Sequence, residues 1–442
     1  MSPMALSRGI STYEEAIAFL DTRIGQGIKP GLERIEALLD LMANPHHSYR
    51  VIHIAGTNGK TTVTRMVAAL LESHGLRVGT FTSPHLIAIE ERFSITGAAL
   101  TAEEFVEAVA DVAPFVDIYE AQSGERVTFF ELTVAIALQA FASTGVEVAV
   151  VEVGLGGRLD ATNVVDADVS VITGISFDHT EYLGETIFEI ATEKAGILKE
   201  KGTLVSGPLP SSADGAMTAR VAEIDSRWVR FGEDFRPESV SQAVGGWQAD
   251  YCGVYGEYAE VFIPLHGRHQ VDHFLTALAS CEMLFDRALD PESVSAGAAS
   301  LTAPGRIQVM NRNPLLIVDG AHNVEGMEGL AAALVGEFPP VLWTLVIGVR
   351  GERDVADLLE PMVGLVSEVI ATTPTDDAAI PAEVIAAVAA EVFGADVPIQ
   401  TVVPVARAIT ESFHTVDEEG AIVVAGSLYV AGEAIARLNP TI

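Results

Sequence analysis

The 442-residue chain carries 61 acidic against 26 basic residues, a formal charge of −35, with 49% hydrophobic residues and two cysteines. Its length exceeds what one hydrophobic core fills and predicts at least two domains. The charge argues against nucleic acid or an anionic membrane as partner, because both would be repelled. Cys252 and Cys281 cannot build a disulfide framework or a metal knuckle and are expected as buried thiols. The stretch MSPMALSRGISTYEEA lacks the apolar run of a secretory signal, and the longest apolar stretches are strand-sized and interrupted by glutamates. A cytoplasmic location is expected.

Residues 51–207 alternate strand-like and helix-like runs. The strands are VIHIA, RVGTF, EVAVVEVG, DVSVITGIS and GTLVSG, and helical periodicity begins at Thr61, Thr101, Phe129 and Glu185. Such alternation predicts a mostly parallel sheet with helices on both faces. Residues 225–265 break the rhythm with Gly-punctuated runs such as VYGEYAEVFIPL and are expected to form an antiparallel appendage, followed by a helix from about Gln270 to Phe285. LTAPGRIQV, with its Pro-Gly turn, reads as the joint between domains. LLIVDGAHN, LWTLVIGV, EVIATTP, IQTVV and AIVVAGSL then alternate with helices, which predicts a Rossmann-like domain over 303–442 after a first domain over 1–302. The second domain has no GxGxxG, so a dinucleotide is not indicated.

Three stretches carry chemistry. Gly56-Thr57-Asn58-Gly59-Lys60-Thr61-Thr62 lies between an apolar strand and a helix start. Successive backbone N–H groups there would form an anion nest, reinforced by the helix dipole. Lys60 would reach a terminal phosphoryl group, and Thr61 or Thr62 would support magnesium. Only two residues separate Gly56 from Gly59, where the common phosphate loop has four before its Gly-Lys pair. An ordinary Gly-containing strand-to-helix turn is the plain alternative. VAVVEVGLGGRLDATN supplies Glu152 at a strand end, with Arg158 beyond, and ITGISFDHTEYLGETIFEIATEKAGILK delivers Asp178 and His179 at another strand end. Lys194 follows His179 by fifteen residues. It is one of only five lysines (Lys29, Lys60, Lys194, Lys199 and Lys201), so its place between Glu193 and Ala195 asks for a reason.

Together with IKPGLERIEALLDLMANPHHSYRVIHIAGTNGK, TSPHL, ERFSITG, PGRI, DGAHN and GSLYVAGEA, these stretches resemble, in order and spacing along almost the whole chain, the folylpolyglutamate synthase and dihydrofolate synthase family of Mur-type amide ligases. The resemblance implies an α/β fold of a P-loop Mur-ligase-type ATPase domain plus a C-terminal Rossmann-like glutamate-ligase domain. It also implies an ATP-driven ligation. A pterin carboxylate takes the γ-phosphoryl group, and the amine of L-glutamate attacks the acyl phosphate to give an amide. Such chemistry needs positioning and charge neutralisation more than a nucleophilic side chain. By resemblance, the 56–62 loop binds ATP with Lys60 as the catalytic lysine. Ser83, Glu152, His179 and Lys194 belong to the magnesium sites, two in number, with Lys194 carbamylated by carbon dioxide. Arg306 and Asp319 contact the nucleotide, His322 and Ser427 lie near the incoming glutamate, and His322 shares in catalysis. Ile28, Lys29, Pro30, Thr128, Arg158 and Asp160 hold dihydropteroate or a reduced folate. The family implies a monomer.

Three departures from the family pattern stand out. Thr61-Thr62 replaces Gly-Ser and keeps a hydroxyl. His273, in HQVDH, replaces an asparagine that contacts the nucleotide. Asp377, in TPTDDAAIP, stands near a Pro-Arg-Ala of many relatives. The last two leave open a Mur-type ligase that acts on a non-folate acid or a different amino acid.

Overall fold

The computed structural model describes residues 9–25, 27, 29–351, 353–416 and 420–439. Two compact units emerge. One takes the chain up to Val240 with Ala249–Phe262 and Val271–Leu301, and the other takes Ser241–Gln248, Ile263–Gln270 and the chain from Thr302 onward.

The first unit is organised by an eight-stranded sheet. Its strands are Arg50–Ala55 (β1), Val78–Phe81 (β2), Phe93–Ile95 (β3), Ala98–Ala99 (β4), Val148–Glu152 (β5), Val169–Ile172 (β6), Thr203–Ser206 (β7) and Arg227–Arg230 (β8), in the order β4-β3-β2-β5-β1-β6-β7-β8. The six strands from β2 to β8 in that order run parallel, and β3 and β4 add an antiparallel edge. β2, β5 and β6 are buried at every residue, and β1 at all but Arg50. That is why they read as near-continuous apolar runs rather than alternating ones. The core beside them joins Phe81, Phe93, Phe105 and Phe141. Helices at Ala102–Ser123, Phe129–Ser143 and Ile187–Ala195 start at Thr101, Thr128 and Thr186. Each threonine pairs with a glutamate three residues on in a capping box.

The irregular stretch from 225 divides differently from expectation. RWVR is not part of the appendage: as β8 it extends the large sheet parallel to β7. Its charged ends and single fully buried residue, Val229, are those of an edge strand, which gives a weak sequence signal. The remainder, Arg236–Ala243 (β9), Gly246–Cys252 (β10) and Glu257–Ile263 (β11), forms a separate three-stranded sheet. The helix His269–Phe285 follows.

The second unit's sheet comprises Gln308–Arg312 (β12), Leu315–Val318 (β13), Trp343–Ile347 (β14), Val366–Ala371 (β15), Ile399–Thr401 (β16) and Ala421–Ala425 (β17), ordered β12-β13-β17-β14-β15-β16. All pairs are parallel except β12 with β13, so part of the expected joint is an edge strand. Trp343, Leu345, Val369, Met327 and Ile385 fill its core. Cys281 is buried, with burial raising its thiol pKa, and Cys252 is half-buried. Among the described residues no helix is long and apolar enough to cross a membrane.

Candidate active site

The chain runs from β1 outward to β2, returns to β5 between them, and then crosses to β6 on the far side of β1. Loops leaving the carboxyl ends of β2, β5, β1 and β6 therefore converge at a topological switch point, where open α/β sheets take their ligands. Ile54 lies opposite Glu152 and Ala55 opposite Ile172, so the 56–62 loop emerges between the two strands that deliver Glu152 and the 173–179 segment.

That loop has little freedom. A Cβ on Gly56 would lie 1.9 Å from Thr173 Oγ1, and one on Gly59 would lie 2.4 Å from His273 Nε2. Thr57 N donates to Gly174 O at 2.9 Å, and Thr173 Oγ1 donates to Asn58 O at 2.6 Å. Thr57 Oγ1 bonds both Ser176 O (3.1 Å) and Ser176 N (3.0 Å). Thr173 is a loop-positioning residue that sequence reading missed, its only signal being a threonine before glycine at a strand end. The helix Lys60–Ser73 begins at Gly59 with φ of 82° and has no side-chain cap, so its first-turn N–H groups and dipole face the loop.

Lys60 Nζ donates to Gly56 O and Thr57 O, both at 3.1 Å. Thr61 Oγ1 donates to Glu152 Oε1 at 2.8 Å, and Ser83 N to Glu152 Oε2 at 3.3 Å. One buried carboxylate thus meets the Thr61 hydroxyl and the Ser83 backbone, and carboxylate and hydroxyl oxygens are the hard ligands magnesium prefers. Thr62 is buried on the helix's inner side. Lys194 is also buried, and its Nζ donates to Gly56 O at 2.9 Å. Burial, and then the positive charge of Lys60, push its pKa down to about 7, with Asp178 and Asp160 opposing. His179 sits at φ 51° with its ring near Asp178 and Glu181. Among the described residues no three His, Cys, Asp or Glu gather closely enough to hold a metal by themselves. Any ion here would keep water or substrate oxygens, as magnesium commonly does.

Beside these groups the first unit opens a cavity of about 530 Å³ lined by Ser83, Lys29, Pro30, Thr128 and Asp160, with Phe129, Phe130 and Tyr182 supplying aromatic surface. Thr128 caps its helix by accepting from Glu131 N at 3.2 Å. Glu131 takes Arg34 at 2.9 Å, and Arg34 also donates to Lys29 O, so one network sets both sides of the cavity. The Thr128-x-x-Glu131 spacing was the readable signal for Glu131. Asp160 accepts from Leu155 N at 2.9 Å and Thr162 N at 3.0 Å. Arg158 does not line the cavity: its guanidinium is held by Glu193 at 2.8 Å. Ile28 lies outside the described residues.

In the second unit β17 is inserted between β13 and β14, so the loops after β13 and β17 meet. Asp319 accepts from Ile307 N and Ala321 N, both at 2.7 Å. It thereby holds Ile307, a β-branched residue, at φ 44°, an uncommon conformation that local bonding must impose. A Cβ on Gly320 would meet Arg306 Nη1 at 2.7 Å, which places that guanidinium against the same turn. His322 Nδ1 is 2.8 Å from Gly320 O, and Ser427 caps the last helix by accepting from Val430 N at 3.2 Å. Arg306, before β12, thus lies against the turn after β13 that carries Asp319 and His322, and Ser427 lies on the neighbouring loop after β17.

Residues 54–281 match the Mur ligase middle domain and residues 305–428 the Mur ligase glutamate ligase domain. The chain belongs to the Mur ligase family. Within it, this ligase is 38% identical over 439 residues to a dihydrofolate synthase/folylpolyglutamate synthase of Mycobacterium tuberculosis, covering 92% of this chain and 90% of that one. The structure of Mycobacterium tuberculosis folylpolyglutamate synthase complexed with ADP and AMPPCP superposes with a TM-score of 0.92 at 37% identity, covering 96% and 98% of the two chains. A folylpolyglutamate synthase complex with AMPPCP and folate gives 0.85 at 30%, covering 97% and 99%. Two of the departures acquire positions in this Mur ligase. His273 packs its ring on Gly59 of the 56–62 loop. Asp377 is exposed, and it is the neighbouring Asp376 that pairs with Arg350, at 2.7 Å.

Proposed function

We propose that this Mur ligase joins L-glutamate to a pterin carboxylate at the expense of ATP, converting dihydropteroate to dihydrofolate, a reduced folate to its polyglutamate, or both. The observation that carries the reading is the meeting of an uncapped phosphate-loop helix, Lys60 and the Glu152–Thr61 oxygens with the cavity at Ser83 and Asp160, all on loops from adjacent parallel strands. The substrate carboxylate attacks the γ-phosphorus, which forms an acyl phosphate and releases ADP. The glutamate amine then attacks the acyl carbon, loses a proton, and the tetrahedral intermediate expels phosphate to leave the amide.

Each group has a stated part. The N–H groups of the 56–62 loop bind the β- and γ-phosphates, and Lys60, whose Nζ bridges Gly56 O and Thr57 O, turns its charge to the transferred phosphoryl group. Magnesium, when bound at Ser83, Thr61, Glu152, His179 and a carbamylated Lys194, would neutralise phosphate charge. Support for carbamylation is chemical. Only a neutral amine adds carbon dioxide, forming an N–C bond and releasing one proton. Burial that takes Lys194 down to about 7 keeps much of it neutral at physiological pH. A protonated Lys194 beside Lys60 would oppose a cation, whereas the carbamate would attract one. Lys29, Pro30, Thr128 and Asp160 wall the pterin cavity, and Ile28 and Arg158 are assigned to the same substrate on the family resemblance alone. Arg306 and Asp319 are assigned to the nucleotide, and His322 and Ser427 to glutamate, with the 303–442 region as glutamate-ligase domain.

The test is ADP release with Mg-ATP and glutamate, in parallel with dihydropteroate and with tetrahydrofolate, reading product masses. A gain of one glutamate on dihydropteroate establishes the synthase step, and gains on tetrahydrofolate establish polyglutamylation. Neither gain, with ATP still bound, favours a non-folate acid or a different amino acid, the reading that the departures at His273 and Asp377 leave open.

A further inference from the structure

We infer that His53 is a positioning residue for the substrate cavity, holding the 153–164 loop in place through Thr162 and Asp160. The inference rests on the proposed ligase function only in naming the cavity's occupant.

His53 is the one polar side chain in the buried stretch of β1, among Val51, Ile52, Ile54 and Ala55, and it is 0% exposed. A polar ring in such a place costs stability unless it is hydrogen-bonded. Its Nε2 lies 2.8 Å from Thr162 Oγ1. Thr162 in turn meets Asp160 Oδ1 through both its backbone N–H, at 3.0 Å, and its hydroxyl. The other carboxylate oxygen, Oδ2, accepts Leu155 N at 2.9 Å. Proton bookkeeping fixes the direction of this chain. With Asp160 ionised, against the upward push that burial gives its pKa, both its oxygens can only accept, so the Thr162 hydroxyl proton goes to Asp160. The Thr162 oxygen must then accept, and His53 must be the Nε2–H tautomer. Nδ1 is left as a buried acceptor without a partner. Burial, with the charge of Lys199 adding, pushes the imidazole down to about 3, so the ring stays neutral across physiological pH.

The consequence is mechanical. His53 sits three residues before Gly56, on the strand that carries the phosphate loop. Asp160 draws the two ends of its loop together and lines the cavity. Asn163 extends the tie by donating to Arg158 O at 3.0 Å and to Gly196 O at 3.2 Å, at the end of the helix bearing Lys194. The imidazole thus links the wall that positions the acceptor carboxylate to the strand that positions ATP. It touches neither substrate.

The test compares Thr162→Val, which removes the relay hydroxyl at constant volume, with Thr162→Ser, which keeps it, and with His53→Leu. Hydrogen exchange on the full chain needs no substrate. In Thr162→Val and His53→Leu the amides of Leu155 and residue 162 should exchange about tenfold faster or more, and in Thr162→Ser they should not. In turnover, Thr162→Val should raise KM for dihydropteroate about tenfold while KM for Mg-ATP stays within about twofold. The wild-type His53 nitrogen spectrum should show the Nε2–H tautomer. Unchanged exchange in Thr162→Val, equal damage in Thr162→Ser, a joint rise of both KM values, or an Nδ1–H tautomer would each overturn the inference. Should His53→Leu not fold, the Thr162 pair decides alone. Should dihydropteroate not be a substrate, the function reading fails while the exchange and tautomer measurements still judge His53.

Discussion

Replacing Lys194 by Met should make the apo chain more stable near neutral pH and below, while removing its ligase activity. The side chain is 4% exposed, and burial moves its pKa from 10.5 to about 7. Between those values the unfolded chain binds a proton that the folded chain does not. Stability therefore rises with pH through that window, and the full cost of the buried ammonium is carried below about pH 7. At about 1.4 kcal/mol per pH unit, the cost reaches about 5 kcal/mol. Methionine has similar length and no charge, so it removes that cost with little change in packing. The assay is urea unfolding of both chains in carbonate-free buffer from about pH 6 to about pH 10. The variant should lead by several kcal/mol at the acid end, with the gap closing towards the alkaline end. Parallel curves would refute the desolvation argument and mean that Asp178 and Asp160 compensate the charge fully. Added bicarbonate should then stabilise the wild type and leave the variant unchanged, because a carbamate forms only on the folded chain's neutral amine.

Three other outcomes are expected. Lys60→Ala should abolish ADP release while its thermal midpoint stays within a few degrees of wild type, and near-normal turnover would remove the role given to Lys60. Gly59→Ala forces a side chain into φ 82° and into the His273 ring, at about 1–2 kcal/mol for the backbone alone, so KM for Mg-ATP should rise about tenfold. Adding His273→Ala should recover part of that loss, and unaltered nucleotide affinity in the single variant would contradict the contact. Thr128→Ala removes a helix cap and loosens Glu131 and Arg34, costing about 1 kcal/mol in denaturant unfolding and raising KM for the pterin more than for ATP.

Much was legible in the sequence because the chemistry is written in local patterns. Buried parallel strands declare themselves as apolar runs, so VIHIA, EVAVVEVG and DVSVITGIS could be placed without coordinates. GTNGK is a strand-to-helix turn whose glycines are needed where Thr173 and His273 crowd the backbone. Capping boxes at Thr101, Thr128 and Thr186 fix helix starts within four residues of chain. Edge strands carry no such mark: β8 looked like part of an irregular appendage, and β12 like a linker. The sequence also presented Arg158 and Asp160 as a pair beside a substrate. Tertiary structure set Asp160 in the cavity wall and turned Arg158 to Glu193. Sequence composition alone marked Lys194 as unusual. Only the fold, by bringing a helix thirty-odd residues beyond Glu152 under the phosphate loop's first carbonyl, made it a buried amine with a depressed pKa. Residue type and spacing determine which groups are available and which elements form, because those depend on contacts within a few residues. Strand order decides which loops share a site, and burial decides which protonation state each group holds. Both depend on contacts between residues far apart in the chain.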